Sequence, residues 1–159
     1  MKHDTNRVEI DAAEPVEAFA GRLQCAALPW KRETDLRILL VTSRETGRWV
    51  IPKGWPQKGR KPHQAAAREA VEEAGVSGKI AKNPIGVYAY LKTVADGAAI
   101  PCLVEVFPMQ VERQRKRWPE QHERTTRWFT ATDASNLVQE PELQALISAF
   151  AAGFTDKAA

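Results

Sequence analysis

The sequence predicts an α/β domain built on a mixed β-sheet, and three observations carry that prediction. Apolar strand-like runs follow residue 20, a Gly/Pro-rich loop leads into an amphipathic helix, and long extended stretches flank an Asp96-Gly97 turn before a final helix. The 159 residues suit one domain, enough to bury roughly 70% of its unfolded surface. A hydrophobic fraction of 43% and a charged fraction of 27% are ordinary for a globular protein and exclude a chain disordered throughout.

In chain order, residues 1–20 are polar and then mildly helical, a tail or an arm packed on a domain that spans 21–152; residues 153–159 form a C-terminal tail. Leu23–Trp30 and Leu36–Ser43 read as strands joined by a polar turn, and Leu36–Val41 is apolar enough to be interior. The Glu45-Thr46-Gly47 turn leads into a short strand, Trp49-Val50-Ile51, ending in Pro52-Lys53-Gly54. After the helix come extended segments over Lys79–Val94 and Ala98–Val111. Residues 112–123 are the most charged in the chain, which predicts a mobile loop outside the core. Arg127-Trp128-Phe129 returns as a strand. Thr130–Val138 reads as a short helix capped by Thr132 or Asp133, and Pro141 opens a helix through Phe150. No internal repeat is present.

The helix before Gly75 has an electrostatic problem. At 3.6 residues per turn, Glu69, Glu72 and Glu73 share one face, while Ala66, Ala67, Ala70, Val71 and Ala74 form the opposite, core-facing stripe. Each like-charge pair at this spacing costs an isolated helix roughly 0.2–0.5 kcal/mol, and acids near the C-terminus oppose the macrodipole. A hard divalent cation would relieve the clash, because Mg2+ takes oxygen ligands and is commonly held by carboxylates together with substrate phosphates. Gly75 stands where a helix-ending glycine is expected.

From Gly54 onward the chain resembles the Nudix box, G-x5-E-x7-R-E-U-x-E-E-x-G-U with U aliphatic. Gly54, Arg68, Glu69, Ala70, Glu72, Glu73, Gly75 and Val76 stand in register, although Ala70 is small for its slot. One position departs: Arg60 occupies the place of the first glutamate. The resemblance implies a Nudix fold, a mixed sheet sandwiched between α-helices. Gly47–Gly54 and Arg127–Ala134 look most like the diphosphoinositol polyphosphate and dinucleoside polyphosphate hydrolase branch, whose members cleave phosphoanhydride bonds.

The resemblance also assigns roles. Glu69, Glu72 and Glu73 would hold Mg2+ (or Mn2+), with the Gly54 carbonyl a further ligand, and Arg68 would orient Glu72 four residues on. Glu72, Glu73 and Arg68 would thus serve the chemistry. Family sites place an additional acid or base in the loop before the last strand; Glu120, His122 and Glu123 are the candidates, with Glu123 taken as the catalytic one. Between Arg44 and Lys61 stand six basic residues against Glu45 alone. From that field Arg44, Lys53, Lys58, Arg60 and Lys61 are expected to form a phosphate-binding rim, closed from the other side by Arg113–Arg117. Trp55 and Trp118 are read either as stacking partners for an adenine or as covers of the core edge, and His63 as a surface residue.

The expected activity is therefore a metal-dependent pyrophosphohydrolase on a small polyanionic substrate. The alternatives are a catalytically silent ligand sensor, raised by Arg60, and an RNA 5′-end pyrophosphohydrolase. Three clustered carboxylates argue against the silent domain. The absence of an ordered basic helix and of an aromatic-and-basic strand pattern argues against a nucleic-acid partner. Cys25 and Cys102 sit in apolar runs, which predicts buried free thiols in a reducing compartment. With no apolar run long enough to span a membrane and no leader-like segment, the cytoplasm is expected.

Overall fold

The structure, a computed structural model, describes residues 22–158 and the side chains of 22–154. The expectation for residues 1–20 lies outside the described residues. Eight strands form one mixed sheet in the order β3-β2-β1-β7-β5, from β1 (Leu23–Arg32), β2 (Leu36–Thr42), β3 (Trp49–Val50), β5 (Val76–Ile80) and β7 (Ala99–Gln114). Off that path β4 (Lys53–Gly54) pairs with β1, β6 (Gly86–Thr93) with β7, and β8 (Thr126–Thr130) with β2. The central pair β1 and β7 is parallel, in register from Leu23 opposite Leu103 to Trp30 opposite Gln110, and the remaining pairings are antiparallel.

Both faces of this sheet are buried, and strand periodicity explains how. Along β1 and β2 the even-numbered Ala26, Leu28, Ile38 and Leu40 pack into one core, and the odd-numbered Cys25, Ala27, Leu39 and Val41 into the other. The first core is closed by α2 (Ala131–Leu137) and α3 (Pro141–Ala158) through Ala134, Leu143 and Ile147. The second is closed by α1 (Pro62–Glu69) and the helical turn after it, through Ala65, Ala66, Ala70 and Ala74. A mixed sheet between helical layers is thus the architecture. Cys25 and Cys102 are buried free thiols, and among the described residues no helix is long and apolar enough to cross a membrane.

Local structure corrects the expectations in four places. The acidic helix is not regular: α1 ends at Glu69, and Ala70–Ala74 wind as a π turn before Gly75, which takes the left-handed conformation at φ 68°. The inward stripe is Ala65, Ala66, Ala70 and Ala74, while Ala67 and Val71 are only half-buried. Thr130, rather than Thr132 or Asp133, caps α2, its Oγ1 accepting from the Asp133 amide at 3.1 Å. Finally, α3 continues past Phe150 to Ala158.

The charged segment is a further correction. Strand β7 runs on to Gln114, and the following loop is bonded to the end of the acidic helix at three points. Arg115 N donates to Gly75 O (2.7 Å), Glu120 N to Glu72 O (3.0 Å), and Trp118 Nε1 to Glu73 O (3.2 Å). Open backbone carbonyls at a helix C-terminus need donors, and this loop supplies them.

Candidate active site

The site is a cavity of about 420 Å³ between the acidic helix, the turn before β3 and the end of β6. One wall carries the carboxylates Glu69, Glu72, Glu73 and Glu120; the rest carries Glu45 with the cations Arg44, Arg48, Lys53, Lys92 and Arg124. Pro62 starts α1 where its missing N–H costs nothing, and Gln64 Oε1 accepts the Lys61 amide at 2.9 Å. The helix so fixed directs Glu69, Glu72 and Glu73 to the cavity.

Glu73 is the innermost of these, only 5% exposed. Burial pushes its carboxyl up to about 8, against the pull of Arg124 and Lys53 and with Glu69 adding to the rise. Burial likewise raises Glu69, which shares a hydrogen bond with Glu73. Glu69, half-buried beside it, adds negative charge that a cation would offset. Lys53 faces them on β4, its amide 3.4 Å from Glu73 Oε1 and its Nζ 4.8 Å from the Tyr90 ring centroid; burial lowers the ammonium to about 8. The Tyr90 hydroxyl is fixed by Gln24 at 2.5 Å.

The expected pair between Arg68 and Glu72 forms, Nε to Oε1 at 3.0 Å. Gly54 lines the cavity, and a Cβ there would overlap the Glu69 carboxylate, so that carboxylate lies against bare backbone. The donor set is hard oxygen throughout, which suits Mg2+ or Mn2+. Among the described residues no three acidic, imidazole or thiol side chains converge as a closed ligand set. Arg68 draws Glu72 aside and Arg124 draws Glu120, so the carboxylates have the right chemistry in an open arrangement.

Several expected residues lie elsewhere. Of the proposed rim only Arg44 and Lys53 reach the cavity. Lys58, Arg60 and Lys61 are exposed, in the loop before α1 that turns at Gly59 with φ 79°. Arg60 lines a second groove behind the helix, together with His63, Arg68 and Arg115. Glu123 is half-exposed and bonded to Arg44 at 3.1 Å; its neighbour Glu120 is the loop acid that lines the cavity. Trp118 packs against Gly75 and does not line the cavity, whereas Trp55 lines it and is 41% exposed, with Lys92 Nζ 5.8 Å over its ring.

Sequence reasoning missed Arg124 as a site residue. Its side chain is 9% exposed, and it bonds Glu120 Oε1 (2.8 Å), the Thr42 carbonyl (3.1 Å) and Glu73 Oε2 (3.7 Å). Its one sequence signal is the four-residue spacing to Glu120, lost in a run of charges. Arg48, counted only as part of the basic field, and Lys92 also line the cavity.

Comparison with known proteins accords with this geometry. A NUDIX domain profile matches residues 23–150. Nudix hydrolase 13, mitochondrial, of Arabidopsis thaliana is 31% identical over 123 residues, 74% of this chain and 61% of its own length. The chain thus spans about three fifths of such plant relatives. The human diphosphoinositol polyphosphate phosphohydrolase 3-alpha is 31% identical over 134 residues, 77% of this chain and 71% of that protein. In fold, a crystal structure of C. elegans Ap4A hydrolase superposes with a TM-score of 0.60 at 19% identity, covering 84% of this chain and 98% of the other. On the span of the matched domain and the box that occupies the cavity wall, the chain belongs to the NUDIX family.

Proposed function

We propose that the protein is a divalent-cation-dependent pyrophosphohydrolase that cleaves a phosphoanhydride bond in a small polyanionic substrate, a diphosphoinositol polyphosphate or a dinucleoside polyphosphate. The observation that carries this reading is the convergence, on one cavity, of five carboxylates with five cationic side chains. Such a cavity accommodates oligophosphate against the cations and keeps hard oxygen donors beside it.

Glu69, Glu72 and Glu73 are the residues that would hold Mg2+ or Mn2+, and Gly54, which lines the same cavity, would add its carbonyl. When bound, the cation neutralises charge on phosphate oxygens and makes a water molecule acidic enough to attack near neutral pH. Arg68 fixes the orientation of Glu72. Glu120, which lines the cavity and is steadied by Arg124, would accept the proton of the attacking water. Arg44 and Lys53 steer and hold phosphate. The reading places the protein in the cytoplasm, a reducing compartment in keeping with two cysteines left as free thiols.

The test is phosphate release from diadenosine polyphosphates, diphosphoinositol compounds and capped or triphosphorylated RNA, with and without Mg2+. Turnover of one of the first two classes in the presence of Mg2+ is expected. Binding without hydrolysis under every divalent metal would replace this reading with a ligand sensor, and turnover confined to RNA would assign the 5′-end activity instead.

A further inference from the structure

One guanidinium on the cationic wall is fixed from behind. Arg48 follows the Ser43–Gly47 turn, in which Ser43 N donates to Arg48 O at 2.8 Å and Gly47 adopts φ 69°. Its side chain is 27% exposed and lines the cavity, and its Nη1 reaches Glu140 Oε2 at 2.7 Å. Glu140 stands immediately before α3, and its side chain is 9% exposed. Its second oxygen, Oε1, is the one buried side-chain N or O atom among the described residues with no hydrogen-bond partner.

This pair is a poor brace. A buried ion pair offsets its desolvation only when the remaining donors and acceptors are satisfied, and here the carboxylate is bonded through one oxygen. The neighbouring guanidinium groups are differently used. Arg44 is engaged by Glu123 and Glu120, and Arg124 by Glu120, Glu73 and the Thr42 carbonyl. Arg48 makes one bond, and among the described residues no protein acceptor takes its other N–H groups. A guanidinium held at one nitrogen keeps further donors in a planar fork, the geometry that binds phosphate through two parallel hydrogen bonds.

We propose that Arg48 is a phosphate-binding residue of the cavity and that Glu140 is the positioning residue that aims it. The ligand chemistry is the phosphate of an oligophosphate chain, and the inference rests on the reading of this cavity as an oligophosphate site. Glu140 acts through Arg48 alone. Its carboxylate orients the fork and offsets one positive charge in a cavity that also contains Lys53 and Lys92.

The experiment is calorimetric titration of inorganic tripolyphosphate into metal-free protein, which reads binding without turnover, followed by steady-state kinetics on the hydrolysed substrate. The variants are Arg48→Lys, Glu140→Gln and the double replacement Arg48→Met with Glu140→Leu. The double variant removes both charges together and leaves no orphan, so it should melt within a few degrees of the parent. Arg48→Lys should weaken Kd about tenfold through loss of the fork, and Glu140→Gln about threefold, with kcat within about twofold in both while KM rises. The double variant should bind no better than Arg48→Lys. Equal Kd in parent and variants, no binding to the parent, or lower kcat at unchanged KM would overturn the assignment. A parent that binds tripolyphosphate through Arg48 yet hydrolyses no phosphoanhydride would overturn the proposed function while supporting this one.

Discussion

Arg124 Nε lies 2.8 Å from Glu120 Oε1, and this contact joins the charged loop to the carboxylate wall. The arginine is almost enclosed, and its removal takes from Glu120 its closest counter-charge and from Glu73 one of two, leaving only Arg44 at 3.9 Å from Glu120 and Lys53 beside Glu73. Arg124→Gln should therefore cost about 3 kcal/mol of stability, as loss of one partner from a buried pair does. Chemical denaturation would measure it, and a cost below about 0.5 kcal/mol would mean that the pair is solvated and weak.

The stability of the metal-free protein should pass through a minimum near pH 8. Glu73 is raised from 4.5 to about 8, so the folded state retains a proton that the unfolded chain has already released. Its contribution is complete below pH 4.5 and is lost as the pH climbs to about 8. Lys53 is lowered from 10.5 to about 8; its contribution is complete above 10.5 and is lost as the pH falls to about 8. Melting temperature as a function of pH should show the dip, and Glu73→Gln should flatten its acid side.

Mg2+ should raise the melting temperature, because only the folded helix gathers the carboxylates. At a hundredfold excess over Kd the gain is about 2.7 kcal/mol, roughly 5–10 °C for a domain of this size. Glu72→Gln should abolish most of that rise and lower turnover by about 100-fold or more while keeping the far-ultraviolet spectrum of the parent. Full turnover in Glu72→Gln and in Glu73→Gln would defeat the metal assignment.

Two glycine replacements should separate site from scaffold. Gly54→Ala puts a methyl group against the Glu69 carboxylate, so activity should fall sharply with little change in melting temperature. Gly75→Ala meets both a φ of 68° and the face of Trp118. It should cost about 1–2 kcal/mol from the left-handed backbone alone, with the collision added.

Arg60→Ala should leave kcat and KM unchanged. The residue lies in the groove behind the helix, so its replacement takes no charge from the cavity. A raised KM in this variant would return Arg60 to the substrate.

What could be read in advance was what depends on local chemistry. The strands read at Leu23–Trp30 and Leu36–Ser43, the interior position of Leu36–Val41 and the helix end at Gly75 stand within a residue or two of where the residues predict them. The placement of charge was less legible. Lys58, Arg60 and Lys61 lie in the box in sequence, yet all three are exposed and none lines the cavity. Which of three glutamates turns inward depends on the winding of Ala70–Ala74, which no spacing rule indicates. The loop after β7 looked free because its anchors are backbone carbonyls of the helix, invisible to side-chain patterns. Arg124 differs from its many basic neighbours only in being buried.

The π turn at Ala70–Ala74 has an evolutionary consequence. A chain one residue shorter here could wind as an uninterrupted α-helix and gain regular hydrogen bonding. The wide turn takes up the extra residue locally, so α1 before it and Gly75 and β5 after it would keep nearly the same phase, and Ala65 and Ala66 would stay in the core. What would change is the turn itself, which carries Glu72 and Glu73. Single-residue deletions between 70 and 74 should therefore spare the fold while disturbing the carboxylates, so selection against them acts through the cavity and not through stability.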